Sequence, residues 1–377
     1  MPKILFVNFN DGYFWSHRAD LALTLKKKGW QVFVTTGGHD TENLEKLKDK
    51  GITPVIIPAY NGVLSPLIVL RLIWGLRKKI QKIQPDIVHA ISLKYAFLTG
   101  LSTLFLKDVR QVFTIAGLGY LFSRDNKKAA FMRAFLMPFL KLAFRRKNAF
   151  LIFQNVDDKE KFSQNHLTSP RQNTIIRGSG VNTSDFPETK EPEKEKPVIL
   201  MPTRLIREKG IDIFIRAAGI VKEKGYDAIF ILAGGTDKYN PSALSEKDMK
   251  TLLDNSEVIW RGKIQDMPRM YQRSHIVVYP SYYNEGVPKV LLEAASSARP
   301  IVTTNHTGCK EVVQDGVNGL LIPVKDSVAT ANAIINLINN PKKRKAMGQE
   351  NRRLALEQFD VSIINSQTID VYKPYVI

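Results

Sequence analysis

"KILFVNFNDGYFWSHRADLALTLKKKGWQVFVTT", residues 3–36, reads as strand, polar loop, helix and strand. The apolar run Ile4 to Val7, with Phe9, is short and ends in "NDG". "SHRADLALTLKKKG" then carries apolar residues at helical spacing and stops at Gly29, and "WQVFVTT" is a second strand-like run. Strand, helix and returning strand form the unit of a doubly wound parallel sheet. "PDIVHAIS" and "RQVFTIAG" continue that sheet and "AFLIFQN" is predicted to close it.

Residues 178–197, "GSGVNTSDFPETKEPEKEKP", are rich in Gly, Pro and charge and have no period, which predicts an interdomain linker. A second round follows: "PVILMPT", "IDIFIRAAGIVKEKG", "DAIFILAGG", "SEVIWRGK", "HIVVYPS", "GVPKVLLEAASSAR", "PIVTTN" and "GLLIP" alternate strand and helix character. Two helices and a last one from about Ile363 end the chain. The expected fold class is α/β, with Rossmann-like parallel-sheet domains at 1–180 and 181–360 facing across a cleft. Residues 361–377 are expected to form a helix returning to the first domain. Ligands of such folds bind at the carboxyl ends of the strands and in clefts.

The composition is globular, with 44% hydrophobic and 24% charged residues. The net charge of +19 is unevenly placed: residues 1–180 hold 28 Lys+Arg against 12 Asp+Glu, and residues 181–377 hold 27 against 24. A basic first half favours nucleic acid, an anionic membrane or a phosphorylated substrate. With Cys309 as the sole cysteine, no internal disulfide can form, and a reducing compartment fits. The N-terminal apolar run is too short for a signal-peptide core, and no uninterrupted run approaches membrane-spanning length. A cytoplasmic location is expected, with any membrane met from the side.

Candidate chemistry gathers in the second half. In "YNEGVPKVLLEAAS", residues 283–296, Glu285 precedes Gly286 in the loop after a strand, Pro288 suits the start of the next helix, and Glu293 lies two turns along it. A helix N-terminus favours a phosphate, and two carboxylates so placed can grip hydroxyls at either end of an elongated ligand such as a nucleotide sugar. Sixteen glutamates in the chain make one such spacing expected by chance, so Glu293 can equally be a solvated helix residue. In "TRLIREKG", residues 203–210, Arg204 and Lys209 lie at the same predicted sheet edge. They are either solvated loop cations or the pair that neutralises a diphosphate leaving group.

"SYYNEGVPKVLLEAAS" resembles the E-x7-E signature of retaining GT-B glycosyltransferases, glycosyltransferase family 4. "PTRLIREKG" resembles that family's donor-phosphate motif, "TTNHTGCKEVVQDGVNGLLIP" its following segment, and "GSGVNTSDF" its linker. "PDIVHAISLK" and "FTIAGLGYLFS" are similar, more loosely, to bacterial transferases that extend polyprenyl-diphosphate-linked glycans, the N,N'-diacetylbacillosaminyl-diphospho-undecaprenol N-acetylgalactosaminyltransferases among them. The resemblance implies that Arg204 and Lys209 hold the donor diphosphate and that Glu285 contacts the transferred sugar. Backbone at Gly286, Val287 and Pro288 would lie near sugar or phosphate. It further implies that Glu293 binds ribose and that the backbone at Gly262, Lys263 and Ile264 meets the base. Asp11 and Gly12 match the family's loop near the diphosphate, although "NDGY" has one glycine where two are frequent. His89 matches a frequent strand-end histidine near the reacting sugar; the alternative is a satisfied strand-end imidazole.

The implied activity is hexosyl transfer from a nucleotide sugar, UDP-linked, to a lipid-linked saccharide acceptor in O-antigen or other polysaccharide assembly. No metal or other cofactor and no nucleic acid are expected, and nothing in the sequence sets the oligomeric state. His17, His39, His166, His275 and His306 show no zinc spacing, and Asp157 and Asp158 read as a helix start. "GLGY" and "AGG" at 233–235 lack the glycines of a dinucleotide fingerprint. A nucleotide-sugar epimerase of the same fold and a basic nucleic-acid-binding protein are the rival readings. Residues 65–83 and 127–147 are predicted helices, the first with Arg71, Lys78 and Lys82 together and Leu70, Ile73, Trp74 and Ile80 on the opposite arc. They either pack their apolar sides on the core or rest on an anionic membrane surface.

Overall fold

The computed structural model describes the chain except residues 39, 58–64, 107–108, 119–126, 194–195, 238–239, 241 and 376–377. His39 and residues 119–123 of "FTIAGLGYLFS" lie outside the described residues. The chain divides into two compact units, residues 1–179 with 364–377, and residues 180–363.

The first unit holds a seven-stranded parallel sheet: β1 Lys3–Val7, β2 Gln31–Thr36, β3 Thr53–Ile56, β4 Ile87–Ile91, β5 Arg110–Ile115, β6 Ala149–Phe153 and β7 Asn173–Ile175. Their order is β3-β2-β1-β4-β5-β6-β7. Strand alternation sends Leu5 and Val7 into one core with Val88 and Phe113, and Ile4 and Phe6 into another with Ile87 and Val112. Both sheet faces are therefore covered, which is why these strands read as continuous apolar runs. The first face is covered by α4 Pro66–Ile83, α5 Leu93–Ser102 and a long helix, α6 Lys127–Phe144, with α5 touching both neighbours. Gly100 of α5 lies so close to Ala143 of α6 that any side chain there would overlap it. The other face takes the helices at 11–17 and 19–27, where one helix was expected, and the C-terminal helix Val361–Tyr372. The expected single helix breaks at Arg18, whose φ of −136° is not helical.

The second unit repeats the plan with β8 Val198–Pro202, β9 Ile229–Ala233, β10 Val258–Trp260, β11 Ile276–Tyr279, β12 Ile301–Thr304 and β13 Gly319–Ile322. Their order is β10-β9-β8-β11-β12-β13, all parallel. The order reverses between β8 and β11, so their following loops diverge from adjacent strand ends and leave a crevice. The stretch read as a linker is pinned to this unit. Arg352 donates to the carbonyls of Thr183 and Phe186, Arg299 reaches Thr189, and Arg344 pairs with Glu191. Val181 pairs with the backbone of Phe359 and Val361, and Thr183 Oγ1 donates to Asp360 at 2.6 Å.

Candidate active site

The loop after β8 carries Arg204 and Lys209, and the loop after β11 carries Glu285. Both rise from the reversal point of the second sheet. Lys209 Nζ lies 2.6 Å from Glu285 Oε1, and its side chain is only 4% exposed. Nζ also donates to the Tyr279 hydroxyl at 2.6 Å, and that hydroxyl donates to Glu285 Oε1 at 2.8 Å. Ser281 Oγ adds a fourth member at 3.3 Å. Among the described residues these bonds to Glu285 all fall on Oε1. The Tyr279 and Tyr283 rings flank the ammonium at 5.2 and 4.9 Å. Burial lowers the Lys209 pKa, with Glu285 opposing the shift. Burial and the Glu285 charge hold the Tyr279 hydroxyl well above its ordinary range, so it remains a donor.

Arg204 belongs to the same electrostatic neighbourhood, its charge acting on Lys209, Tyr279 and Tyr283. Its side chain is 62% exposed and pairs with Asp237 at 2.6 Å, from the loop after β9. Three glycines press these loops together. A Cβ on Gly234 would overlap the Thr203 carbonyl, one on Gly210 the Pro280 carbonyl, and one on Gly308 the Gly286 carbonyl. Gly210 and Gly308 also have φ of +79° and +83°, which L side chains rarely adopt. Gly262, Lys263 and Ile264 follow β10, and the Gly262 carbonyl accepts from Gly234 N at 2.8 Å. That bond ties the β10 loop to the backbone beside Arg204.

Pro288, expected in the first turn, is the N-cap of the helix Lys289–Ser296, which starts one position later. Val287 is buried. Glu293 is half-buried in this helix, its Oε2 accepting from Tyr271 at 3.0 Å, and burial pushes its pKa up to about 7. Cys309, beside Gly308, is buried, and its thiol is raised to about 12, first by burial and then by Glu285. Among the described residues no three His, Cys, Asp or Glu side chains form a metal-holding group.

Comparison with known proteins matches residues 3–155 to the "Glycosyl transferase 4-like" family and residues 182–354 to "Glycosyl transferases group 1". The chain belongs to the glycosyltransferases. It is 27% identical to the N,N'-diacetylbacillosaminyl-diphospho-undecaprenol alpha-1,3-N-acetylgalactosaminyltransferase of Campylobacter jejuni, over 98% of each chain. It is 24% identical to an Escherichia coli UDP-Gal:alpha-D-GlcNAc-diphosphoundecaprenol alpha-1,3-galactosyltransferase, over 83% of this chain and 81% of the relative. Among solved structures, Anabaena HepE in complex with UDP and glucose superimposes with a TM-score of 0.77 at 18% identity, covering 99% of this chain and all of that one. A Rickettsia africae glycosyltransferase gives 0.79 at 18% identity, covering 99% and 98%. The fold is GT-B, with two Rossmann-like units, and the glycosyltransferase is homologous to enzymes of undecaprenyl-diphosphate-linked glycan assembly.

In the first unit, the glycosyltransferase places Asp11 and Gly12 in the first turn of a helix capped by Asn10, with Asp11 Oδ2 accepting from Thr36 at 2.8 Å. His89 corrects its expected role near the reacting sugar. It is fully buried in β4, with Nδ1 2.6 Å from the Tyr372 hydroxyl and Nε2 2.7 Å from Thr114 Oγ1. Both ring nitrogens are occupied, and burial depresses its pKa, with Arg18 adding to the shift. The imidazole joins the C-terminal helix to the sheet. Sequence reasoning missed Tyr279, Asp237 and Gly308. Tyr279 looked like an ordinary strand residue, and the glycine was visible only as part of a quoted segment.

Proposed function

We propose that this glycosyltransferase moves a hexose or N-acetylhexosamine, with retention of anomeric configuration, from a UDP-linked donor to a saccharide carried on polyprenyl diphosphate. The setting is O-antigen or related polysaccharide assembly at the inner face of the cell membrane. The names of two relatives, both specifying diphosphoundecaprenol-linked acceptors and one a UDP-galactose donor, support this reading. The observation that carries it is the Lys209–Glu285 pair: Oε1 is held by three donors, and in this reading Oε2 accepts from a ligand hydroxyl.

In the reaction the bond from sugar C1 to the β-phosphate oxygen breaks with oxocarbenium character. The acceptor hydroxyl oxygen bonds C1 on the face the diphosphate leaves, and its proton passes to a β-phosphate oxygen. Lys209 stabilises the charge growing on the diphosphate, and Arg204 exchanges Asp237 for the same group. Glu285 accepts a sugar hydroxyl, and the backbone of Gly286, Val287 and Pro288 faces sugar or phosphate. Glu293 takes ribose hydroxyls, and the Gly262–Ile264 backbone meets the base. The basic first unit binds the acceptor. Two cations take the place of a metal in this scheme, so turnover is expected to survive EDTA; a tenfold loss would overturn that part.

The test is a panel of nucleotides and nucleotide sugars scored by protection against unfolding, followed by the anomeric configuration of the product. UDP and one UDP-sugar should protect and the product should retain configuration. Protection by none, or an inverted product, would overturn the reading. Donor turned over to a new sugar nucleotide without acceptor would point to the epimerase.

A further inference from the structure

Three arginines are buried among the described residues: Arg18, Arg299 and Arg344. Two of them are well bonded. Arg299 donates to the carbonyls of Tyr271 at 2.8 Å and Gln272 at 3.2 Å. Arg344 pairs with Glu191 at 2.6 Å and donates to the Leu337 carbonyl at 2.8 Å. Arg18 is the exception. It is only 4% exposed, its Nε and Nη2 are sealed from solvent, and neither has a hydrogen-bond partner. Its backbone is held on both sides of the break between the first two helices. The N–H donates to the Phe14 carbonyl at 2.7 Å, and the carbonyl accepts from Ala22 at 3.1 Å.

The surroundings supply no counter-charge. The guanidinium acts on His89 and Tyr372. Burial lowers the His89 pKa, with Arg18 adding to the shift, and burial raises that of Tyr372, so both side chains are neutral. They bond to each other, and His89 spends its second nitrogen on Thr114. Asp11, the one acid in residues 8–18, accepts from Thr36 at 2.8 Å. A guanidinium cannot shed its proton, and a buried charge without a partner is strongly unfavourable. Two more nitrogens of the same segment are sealed without an acceptor: Asn8 Nδ2, and Trp15 Nε1 three residues before Arg18. Buried polar groups are nearly always paired. These four nitrogens are all donors, and an anion is the partner that donors share.

We propose that Arg18 anchors an oxyanion site in the first unit, one that takes a phosphate or diphosphate group and is distinct from the Arg204 and Lys209 cations of the second unit. The guanidinium fork matches pairs of phosphate oxygens. The 28 Lys+Arg against 12 Asp+Glu in residues 1–180 favour a multiply charged anion. The site stands without the proposed function; a lipid-linked diphosphate as its occupant rests on that reading.

The experiment follows thermal unfolding of the full chain in buffer without phosphate or sulfate. The Arg204→Ala background weakens the second unit's response to the same probes. Inorganic phosphate, pyrophosphate and farnesyl diphosphate are added separately, and Tm should rise with the logarithm of concentration for at least one. A response to inorganic phosphate alone assigns a free anion, and a response to farnesyl diphosphate at lower concentration assigns a lipid-linked one. Adding Arg18→Met should weaken the apparent affinity by about tenfold or more, and Arg18→Lys should recover part of it. Without added anion, Arg18→Met should raise Tm, because it removes an unpaired buried charge, whereas an arginine that only supports the fold would lower it. No protection by any probe, equal protection of Arg18→Met, or a lower anion-free Tm in Arg18→Met would each overturn the site. Nucleotide protection of the wild type in that event would leave the proposed function standing. Phosphate protection that depends on Arg18, with no nucleotide protecting, would do the reverse.

Discussion

Replacing Lys209 by methionine removes one charge of a buried pair and keeps most of the side-chain volume. Glu285 would then lose its cation while only 18% of its side chain reaches solvent. Breaking a fully buried pair by removing one partner costs about 3–5 kcal/mol. Glu285 keeps the Tyr279 and Ser281 hydroxyls, so the expected cost is reduced to about 2–4 kcal/mol. For a unit the size of residues 180–363, that corresponds to a Tm lower by about 5–15 °C. Turnover should fall by roughly 10²–10³, the usual loss on removing one transition-state donor. The double variant Lys209→Met/Glu285→Leu removes both charges and should recover at least about 1.5 kcal/mol of the single variant's loss, because apolar replacements of a buried pair are tolerated. Its turnover should not recover. Denaturant unfolding of the wild type, both single variants and the double, with turnover measured beside it, closes the cycle. Strictly additive stability losses, or near-wild-type turnover in Lys209→Met, would refute the argument that this pair is coupled and catalytic.

Arg204→Ala should cost little stability, since the Arg204 side chain is mostly exposed although Asp237 is only 18% so, yet cost roughly 10²–10³ in turnover; equal turnover with bound donor would remove Arg204 from the mechanism. Glu293, raised by burial to about 7, keeps its proton in the folded state at pH values where the unfolded chain, near 4.5, has released it. The folded state then binds the extra proton, so this group's contribution to stability falls as pH rises from about 4.5 to 7 and stays low above that. Glu293→Gln abolishes the effect, so its Tm relative to wild type should climb between about pH 5 and 8; a constant difference would contradict the burial argument. Gly308→Ala places a methyl group against the Gly286 carbonyl at a left-handed φ, and should cost about 2–4 kcal/mol in denaturant unfolding together with most of the activity. A neutral Gly308→Ala would mean that the two loops are not locked together.

Much of the second unit was legible along the chain because parallel strands buried on both faces write themselves as apolar runs. "VILMP" and "IVVY" are buried at every position. The loops that follow them carry Arg204, Lys209 and Glu285, and doubly wound topology places such loops at one edge. The direct Lys209–Glu285 contact was not legible, nor was the Tyr279 hydroxyl between them, because the residues are 76 positions apart and the contact depends on strand register. His89 shows the converse. Its position at a strand suggested chemistry, but Thr114, 25 residues on, and Tyr372, 283 residues on, close around both nitrogens. Helical period showed that α4 and α6 are amphipathic or doubly apolar, without telling which arc the sheet would cover.

The sequence by itself determined the strand and helix alternation, the basic first half and the family signature, since these follow from local period, composition and short motifs. Tertiary structure alone decided which acid meets which base, that Arg204 rests on Asp237, and that Phe131, Phe135 and Phe139 face outward. Those outcomes depend on close packing between segments distant in the chain, where a glycine under a carbonyl or a one-residue register sets which atoms come within bonding distance.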